Sequence, residues 1–259
     1  MTLTKDTDPT AGTNTTLADL VAGRPSLAAV FDRLGLDFCC HGQRTLGQAC
    51  RAEGLDMGQV REAMAGAPAT GQVDDWASFG PADLADHVVA VHHQYLYREL
   101  PELDRLAAKV LSVHGDRRPE LAEVRQLVAD IQADLWPHLA REERVLFPAI
   151  KAVAEGRDAF GGGSIANPIA VMTAEHESVG RLLHRLRAVT GGYEVPGDGC
   201  ASYRLLYQGL EAVELDTHLH ILKENSFLFP AAVALEAALT DGTCLSAPAS
   251  TDPARAGGR

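Results

Sequence analysis

Four long segments of the chain carry apolar residues at alternating spacings of three and four, the period of a helix with one buried face. These apolar stripes extend over residues 89–110, 121–135, 169–186 and 206–213. Amphipathic helices of this kind, joined by short to medium connections, predict an antiparallel four-helix bundle. We therefore expect an all-α protein.

Shorter helical patterns precede the bundle, and each ends at a glycine, at Gly35, Gly54 or Gly66. The first 15 residues are too poor in apolar side chains to offset the entropy that ordering costs. The predicted order is a disordered tail at 1–15, a small helical domain at 16–66, a linker at 67–80, the bundle at 81–238 and a second disordered tail at 239–259.

Composition narrows the classes of partner. With 23 Lys and Arg against 35 Asp and Glu, the formal net charge is −12, and such a chain lacks the basic surface that binding to nucleic acid requires. Its longest apolar run, about nine residues at 227–235, is far short of the roughly 20 residues of a membrane span. The N-terminus has no apolar signal segment, and five cysteines do not suit a disulfide framework. We expect a cytoplasmic protein with free thiols, and neither nucleic acid nor a membrane as partner.

One motif occurs twice in the bundle, 82 positions apart. In the first copy, His138 and Glu142 precede a Leu-Phe-Pro tripeptide at 146–148; in the second, His220 and Glu224 precede the same tripeptide. A repeat of this length fits two fused helical hairpins. We interpret the tripeptide as core packing and helix termination.

The apolar stripes lead directly to chemically active residues. When continued with the helical period, the second and fourth stripes reach the His and Glu of the two motifs, and the first and third pass through His93 and His176. Burying four imidazoles and two carboxylates without partners costs several kcal/mol per group, whereas two divalent cations satisfy all six. The candidate metal ligands are His93, His138, Glu142, His176, His220 and Glu224.

Each half of the repeat offers two histidines and one glutamate, so a pseudo-twofold bundle can hold two metals with the glutamates as bridges. Imidazole and carboxylate without thiolate favour iron or manganese over a closed zinc site. For Asp134 and Glu175, contact with a ligand, a proton relay and a solvated face are open alternatives. The other histidines are interpreted as surface, capping or supporting residues: His41, His87, His92, His114, His184 and His218.

A second group of reactive residues lies in the segment from Asp37 to Gly42, which contains the adjacent Cys39 and Cys40. Such a pair can form a vicinal disulfide, ligate a soft metal or exchange with another thiol. A pair of small, half-buried residues without chemical function is the fourth alternative. We assign no function to the remaining cysteines, Cys50, Cys200 and Cys244.

These motifs resemble those of the Repair of Iron Centres family, over residues 16–235. The segment from Phe38 to Leu46 is similar to its N-terminal di-cysteine domain, and the bundle is similar to its hemerythrin-like domain. In this chain His41 stands where the family commonly has glycine, and His92 beside His93 makes the first ligand ambiguous. The matching bundle motifs are His93 with Leu100-Pro101-Glu102-Leu103, His138-x-x-x-Glu142, Met172-x-x-Glu175-His176 and His220-x-x-x-Glu224-Asn225.

The resemblance implies two non-haem irons with oxo and carboxylate bridges, held by the same six residues. It also implies repair of, or iron delivery to, iron-sulfur clusters damaged by nitric oxide or oxidative stress, with damaged iron-sulfur proteins as partners. Cys39 and Cys40 then serve in transfer or redox chemistry. The alternatives are a protein that binds or senses oxygen or nitric oxide, and a nitric oxide reductase. Whether the chain is an enzyme, and whether it forms a homodimer, stay open at this point.

Overall fold

The computed structural model describes residues 13–68 and 76–240. In these residues the chain forms helices and one isolated β-bridge, between Thr16 and Thr45. The prediction of an all-α protein is therefore confirmed. No helix in the described ranges has the length and apolar character needed to cross a membrane.

The N-terminal unit consists of short helices with clear start and stop signals. Side chains of Thr16, Thr45 and Asp56 cap three of the helices by accepting a backbone N–H. Gly35 ends the second helix in the left-handed region, with φ 68°. The helices are α1 (Leu17–Gly23), α2 (Leu27–Leu34), α3 (Leu46–Ala52) and α4 (Met57–Ala65).

Two predicted boundaries differ from the structure. Thr13 and Thr15 accept backbone hydrogen bonds from the first residues of α3, so they belong to the folded unit and not to a tail. Trp76, placed in the predicted linker, is buried and packs edge-on against Phe227 at 5.1 Å between ring centroids. The other tail and linker predictions fall on residues 1–12, 69–75 and 241–259, which lie outside the described residues.

Four long helices enclose the bundle core: α6 packs on α7 and α10, and α7 packs on α9. Their apolar stripes interlock there with two buried tyrosines, Tyr203 and Tyr207. Shorter helices extend three of the four arms. The bundle helices are α5 (Pro81–Val88), α6 (Gln94–His114), α7 (Glu120–Arg141), α8 (Phe147–Ala154), α9 (Ala166–Val189), α10 (Ala201–Lys223) and α11 (Phe229–Thr240).

A five-residue π-helical turn interrupts each of three arms. The turns are Val89–His93 between α5 and α6, Glu142–Leu146 between α7 and α8, and Glu224–Leu228 between α10 and α11. Turns of this type are rare and are concentrated at functional sites. Each of them begins or ends at a candidate metal ligand.

The repeated Leu-Phe-Pro tripeptide accounts for two of these turns. Pro148 has no N–H with which to continue the α-helical hydrogen bonds, and the amide before it, that of Phe147, donates to the carbonyl of Glu142 five residues back. Phe229 and Glu224 form the same bond in the second copy. The predicted helix termination is therefore wrong, because both helices continue through a wider turn. The predicted core packing is correct, since the Leu and Phe of both copies are buried.

The N-terminal unit packs against the end of α10, where Phe38 and Cys39 share an apolar cluster with Ile221 and Leu222. Gly42 lies at the closest approach. A Cβ atom there would be 2.5 Å from the carbonyl oxygen of Phe38 and 2.7 Å from Oγ of Ser226. Only glycine permits the di-cysteine segment to lie so close to the π-helical turn after α10.

Candidate metal centre

The structure brings all six predicted ligands together in the middle of the bundle, and none is more than 1 % exposed. The histidines come from all four arms, and the two glutamates are the first residues of their π-helical turns. His93, and not the neighbouring His92, belongs to this group. The ligand group consists of His93, His138, Glu142, His176, His220 and Glu224.

The histidines form two pairs with their Nε2 atoms facing each other. In one pair the Nε2 atoms of His93 and His220 are 3.2 Å apart, and in the other those of His138 and His176 are 3.1 Å apart. Each pair therefore combines one histidine from each half of the repeat. The sequence indicates only that each half offers two histidines. In the structure neither pair is formed within one half.

Both carboxylates lie between the two pairs. Glu142 places Oε2 3.4 Å from Nε2 of His93, and Oε1 at the same distance from Nε2 of His138. Glu224 places Oε1 2.9 Å from Nε2 of His220, and Oε2 3.1 Å from Nε2 of His176. Each glutamate thus presents one oxygen to each histidine pair, the arrangement required of a bridging ligand.

The donor atoms fit two divalent cations. Each histidine pair and its facing carboxylate oxygens lie within 4.8 Å of one another. Both oxygens of Glu142 and Oε2 of Glu224 are buried without a hydrogen-bond partner among the described residues, a costly state that a cation relieves. Burial and the neighbouring Glu224 raise the pKa of Glu142 well above its usual value. Burial also lowers the pKa values of His138 and His220 to about 4, so both imidazoles are neutral and able to bind a metal at pH 7.

Three of the four histidines donate their Nδ1–H to an outer acceptor. Nδ1 of His93 lies 2.9 Å from Oε1 of Glu143, and Nδ1 of His176 lies 3.0 Å from Oδ1 of Asn225. Such bonds fix the tautomer and aim the Nε2 lone pair at a metal. Sequence reasoning missed both acceptors, although Glu143 and Asn225 occupy equivalent positions directly after the repeated glutamate.

Glu175 is the third acceptor, and it resolves an alternative left open by the sequence. Its Oε2 lies 2.8 Å from Nδ1 of His138, not beside the adjacent His176. Glu175 also pairs with Arg141 at the surface. Asp134, by contrast, is exposed and accepts from Oγ of Ser178 at 3.4 Å.

The fourth histidine breaks the symmetry. Nδ1 of His220 is buried and has no hydrogen-bond partner among the described residues. The position equivalent to Glu175, directly before the ligand histidine of the other half, is occupied by His92. That ring stacks on His220 at 5.6 Å and hydrogen-bonds to Asp216 and Lys223. One histidine pair is therefore anchored at both rings and the other at only one.

The di-cysteine segment lies next to the ligand group. Sγ of Cys39 and Sγ of Cys40 are 3.8 Å apart and are not joined by a disulfide bond. Oδ1 of Asp37 accepts a hydrogen bond from the Cys40 amide at 2.8 Å. Asn225 connects the segment to the ligands: its Nδ2 donates to the Cys39 carbonyl at 3.4 Å, while its Oδ1 accepts from His176. A cavity of about 480 Å³ opens beside the thiols.

The remaining predicted residues are spread over the surface and the N-terminal interface. His218 is hydrogen-bonded to Asp32 below the cavity, and His41 pairs with Asp37. Cys50 is buried in α3, and Cys244 lies outside the described residues. Cys200, given no function by the sequence, is exposed at the start of α10, and a hydrogen bond from His114 lowers its pKa to about 7.

Comparison with known proteins accounts for both parts of the chain. Residues 84–232 match the model of the hemerythrin HHE cation binding domain, and residues 13–67 match ScdA_N, described as a domain of unknown function.

The curated relatives are named "Iron-sulfur cluster repair protein YtfE". The protein of Cronobacter sakazakii is 33% identical over 220 residues, which cover 85% of this chain and 96% of that protein. Those of Escherichia coli O81 and Salmonella paratyphi B are 31% and 32% identical, and each comparison covers 85% of this chain and 97% of the relative. The family resemblance seen in the sequence is thereby confirmed: the chain belongs to the YtfE family and carries a hemerythrin-type cation-binding domain.

Proposed function

We propose that the protein repairs iron-sulfur clusters damaged by nitric oxide or oxidants, or supplies them with iron, and that it does so with two irons bound in its bundle. The observation that carries this proposal is the pair of buried glutamates, each with one oxygen toward each histidine pair and three of the four oxygens without a hydrogen-bond partner among the described residues. The names of the curated relatives support the same function.

In this proposal His93 and His220 hold one iron, His138 and His176 hold the other, and the two glutamates bridge them. Bound iron supplies redox chemistry and exchangeable coordination positions, with an oxo bridge as a further proposed ligand. Burial lowers the pKa values of His138 and His220 and keeps these two imidazoles neutral, and hydrogen bonds at Nδ1 orient three of the four histidines. It excludes bulk water from the ligand group, since every ligand is nearly fully buried.

The N-terminal unit favours repair over simple binding of oxygen or nitric oxide. A gas-binding site needs only the bundle, yet this chain places two free thiols beside the ligands and connects them through Asn225. We propose that Cys39 and Cys40 take part in transfer to damaged iron-sulfur proteins. Free thiols persist in reducing compartments, which supports a cytoplasmic location.

The test is recovery of a damaged enzyme. An iron-sulfur hydratase inactivated by nitric oxide is incubated anaerobically with the iron-loaded protein. We expect activity to return with the wild-type protein and with Cys200→Ser, and to be lost with Cys39→Ser/Cys40→Ser and with Glu142→Gln/Glu224→Gln. Gas binding without recovery in any sample would instead identify a sensor or carrier, and nitrous oxide formed from nitric oxide would identify a reductase.

A further inference from the structure

We propose that Asp37, Cys39 and Cys40 form a third metal site, for Fe(II), at which iron pauses between the bundle and a client protein. The transit role rests on the proposed function, because the iron comes from the bundle. The site itself rests on the geometry of the di-cysteine segment alone.

The three donors lie within 4.8 Å of one another, and two of the distances between them match a tetrahedral thiolate site. With metal–sulfur bonds of about 2.3 Å, tetrahedral angles place two thiolates roughly 3.8 Å apart, and the Sγ atoms of Cys39 and Cys40 are 3.8 Å apart. A thiolate and a carboxylate oxygen at about 2.1 Å from the same metal are roughly 3.5 Å apart. Oδ1 of Asp37 lies 3.3 Å from Sγ of Cys39. A cation therefore enters without a large movement of the segment.

Hydrogen bonds hold the three donors in place. Oδ1 of Asp37 accepts from the amide of Cys40 at 2.8 Å, and Oδ2 is bonded to the His41 ring at 2.6 Å. These hydrogen bonds stabilise the turn in which the two thiols lie close to the carboxylate. His41, the residue by which the chain departs from the common glycine, thus orients a donor of the proposed site.

A hydrogen bond connects the two thiols. Cys39 donates its S–H to Cys40, which lowers the pKa of the Cys40 thiol and raises that of Cys39. Binding forms two Fe–S bonds and one Fe–O bond, and the protons carried by the two thiols are released to water. No electron is transferred, so no oxidant or reductant is required.

The position of the third site suits iron that moves between the bundle and a client protein. Gly180 is one helical turn beyond His176 on α9, and a Cβ atom there would lie 3.8 Å from Sγ of Cys40. The thiol therefore contacts the helix that carries a bundle ligand. The di-cysteine segment and α9 together line the cavity of about 480 Å³, with Glu177 and His184 among its α9 residues. A fourth ligand from water or from a client can enter there.

Cobalt(II) tests the site, because thiolate-to-cobalt charge-transfer absorption reports sulfur ligation and the six bundle ligands contain no sulfur. Co(II) is added anaerobically to the full-length, reduced protein loaded with only the two irons of the bundle, and the near-ultraviolet difference spectrum is recorded. We expect one Co(II) per chain with this absorption. Cys39→Ser and Cys40→Ser abolish it, and Asp37→Asn weakens Co(II) binding by roughly 10-fold.

Two controls keep the result interpretable. Cys200→Ser is a matched thiol variant and should leave the absorption unchanged, while far-ultraviolet circular dichroism verifies that every variant is folded. The proposal is overturned if the wild-type protein shows no absorption, or if Cys39→Ser/Cys40→Ser retains it.

The bundle and the third site are then separated. In Glu142→Gln/Glu224→Gln, cobalt absorption that survives while iron binding is lost supports an independent third site. If the wild-type bundle binds no iron but the cobalt absorption is present, the proposed function fails and the site stands. Transit is measured as release of bundle iron to an external chelator, which we expect to slow at least 10-fold in Cys39→Ser/Cys40→Ser; equal rates would overturn the transit role.

Discussion

Replacing Glu175 by leucine removes an outer contact of the metal centre without touching a ligand. Partial burial opposes ionisation of this carboxyl, but hydrogen bonds from Arg141 and His138 outweigh it and hold its pKa below the usual value. The charged oxygen at 2.8 Å from Nδ1 therefore makes His138 a stronger ligand. Loss of such a contact typically weakens metal binding about 10–100-fold, which corresponds to about 1.4–2.7 kcal/mol.

The assay is an equilibrium competition for Fe(II) between the protein and a coloured chelator under anaerobic conditions. Two controls match the substitution. Arg141→Gln removes the other partner of Glu175; the surface ion pair that is lost contributes about 0–1 kcal/mol. Asp134→Leu removes a carboxylate that lies one turn before His138 and accepts a hydrogen bond from Ser178. We expect both controls to bind iron within about twofold of wild type. An equally small change in Glu175→Leu would refute the assigned contact.

Three further predictions follow from other parts of the molecule. Glu214→Ala should lower the free energy of unfolding, measured in urea, by about 3 kcal/mol, because the half-buried Arg187 loses its bidentate partner. A decrease of less than about 1 kcal/mol contradicts this. Because a hydrogen bond from His114 lowers the pKa of Cys200 to about 7, alkylation of this thiol should accelerate as the pH rises through 7. His114→Ala should move the midpoint of this pH dependence upward, and an unchanged midpoint would exclude the contact. Iron release should be biphasic, the faster phase belonging to the pair that contains the unanchored His220, and a single phase would show that the missing anchor has no effect.

That the six candidate ligands lie together was predictable because the helical period is rigid. Once an apolar stripe is established, each further step of three or four residues marks the buried face, and that rule reached His138 and Glu142 without any tertiary information. The pairing of histidines across the two halves was not predictable. It depends on which helices are neighbours around the bundle, and periodicity within one helix does not contain this information.

The outer acceptors were missed for a related reason. On a regular helix Glu143 is about 100° from Glu142, so periodicity assigns it to another face. Its role follows only from the approach of His93 on a different arm. Trp76 was also missed, because the segment at 67–80 that contains it shows no period. Cys200 and His114 are 86 residues apart, and only the folded bundle brings them together.

A π-helical turn contains one residue more than the α-helical path it replaces, and this has a consequence for how the family can vary. Because the wider turn absorbs this extra residue, deleting one residue between Glu142 and Pro148 would restore a regular helix and leave α8 close to its present rotation relative to α7. The buried Ile150 would therefore still face the core, while His138 stayed in place on the other side of the turn. Glu143, Leu146 and Phe147 have contacts of their own within this stretch, so a natural deletion here should alter those contacts and leave the packing of α8 unchanged.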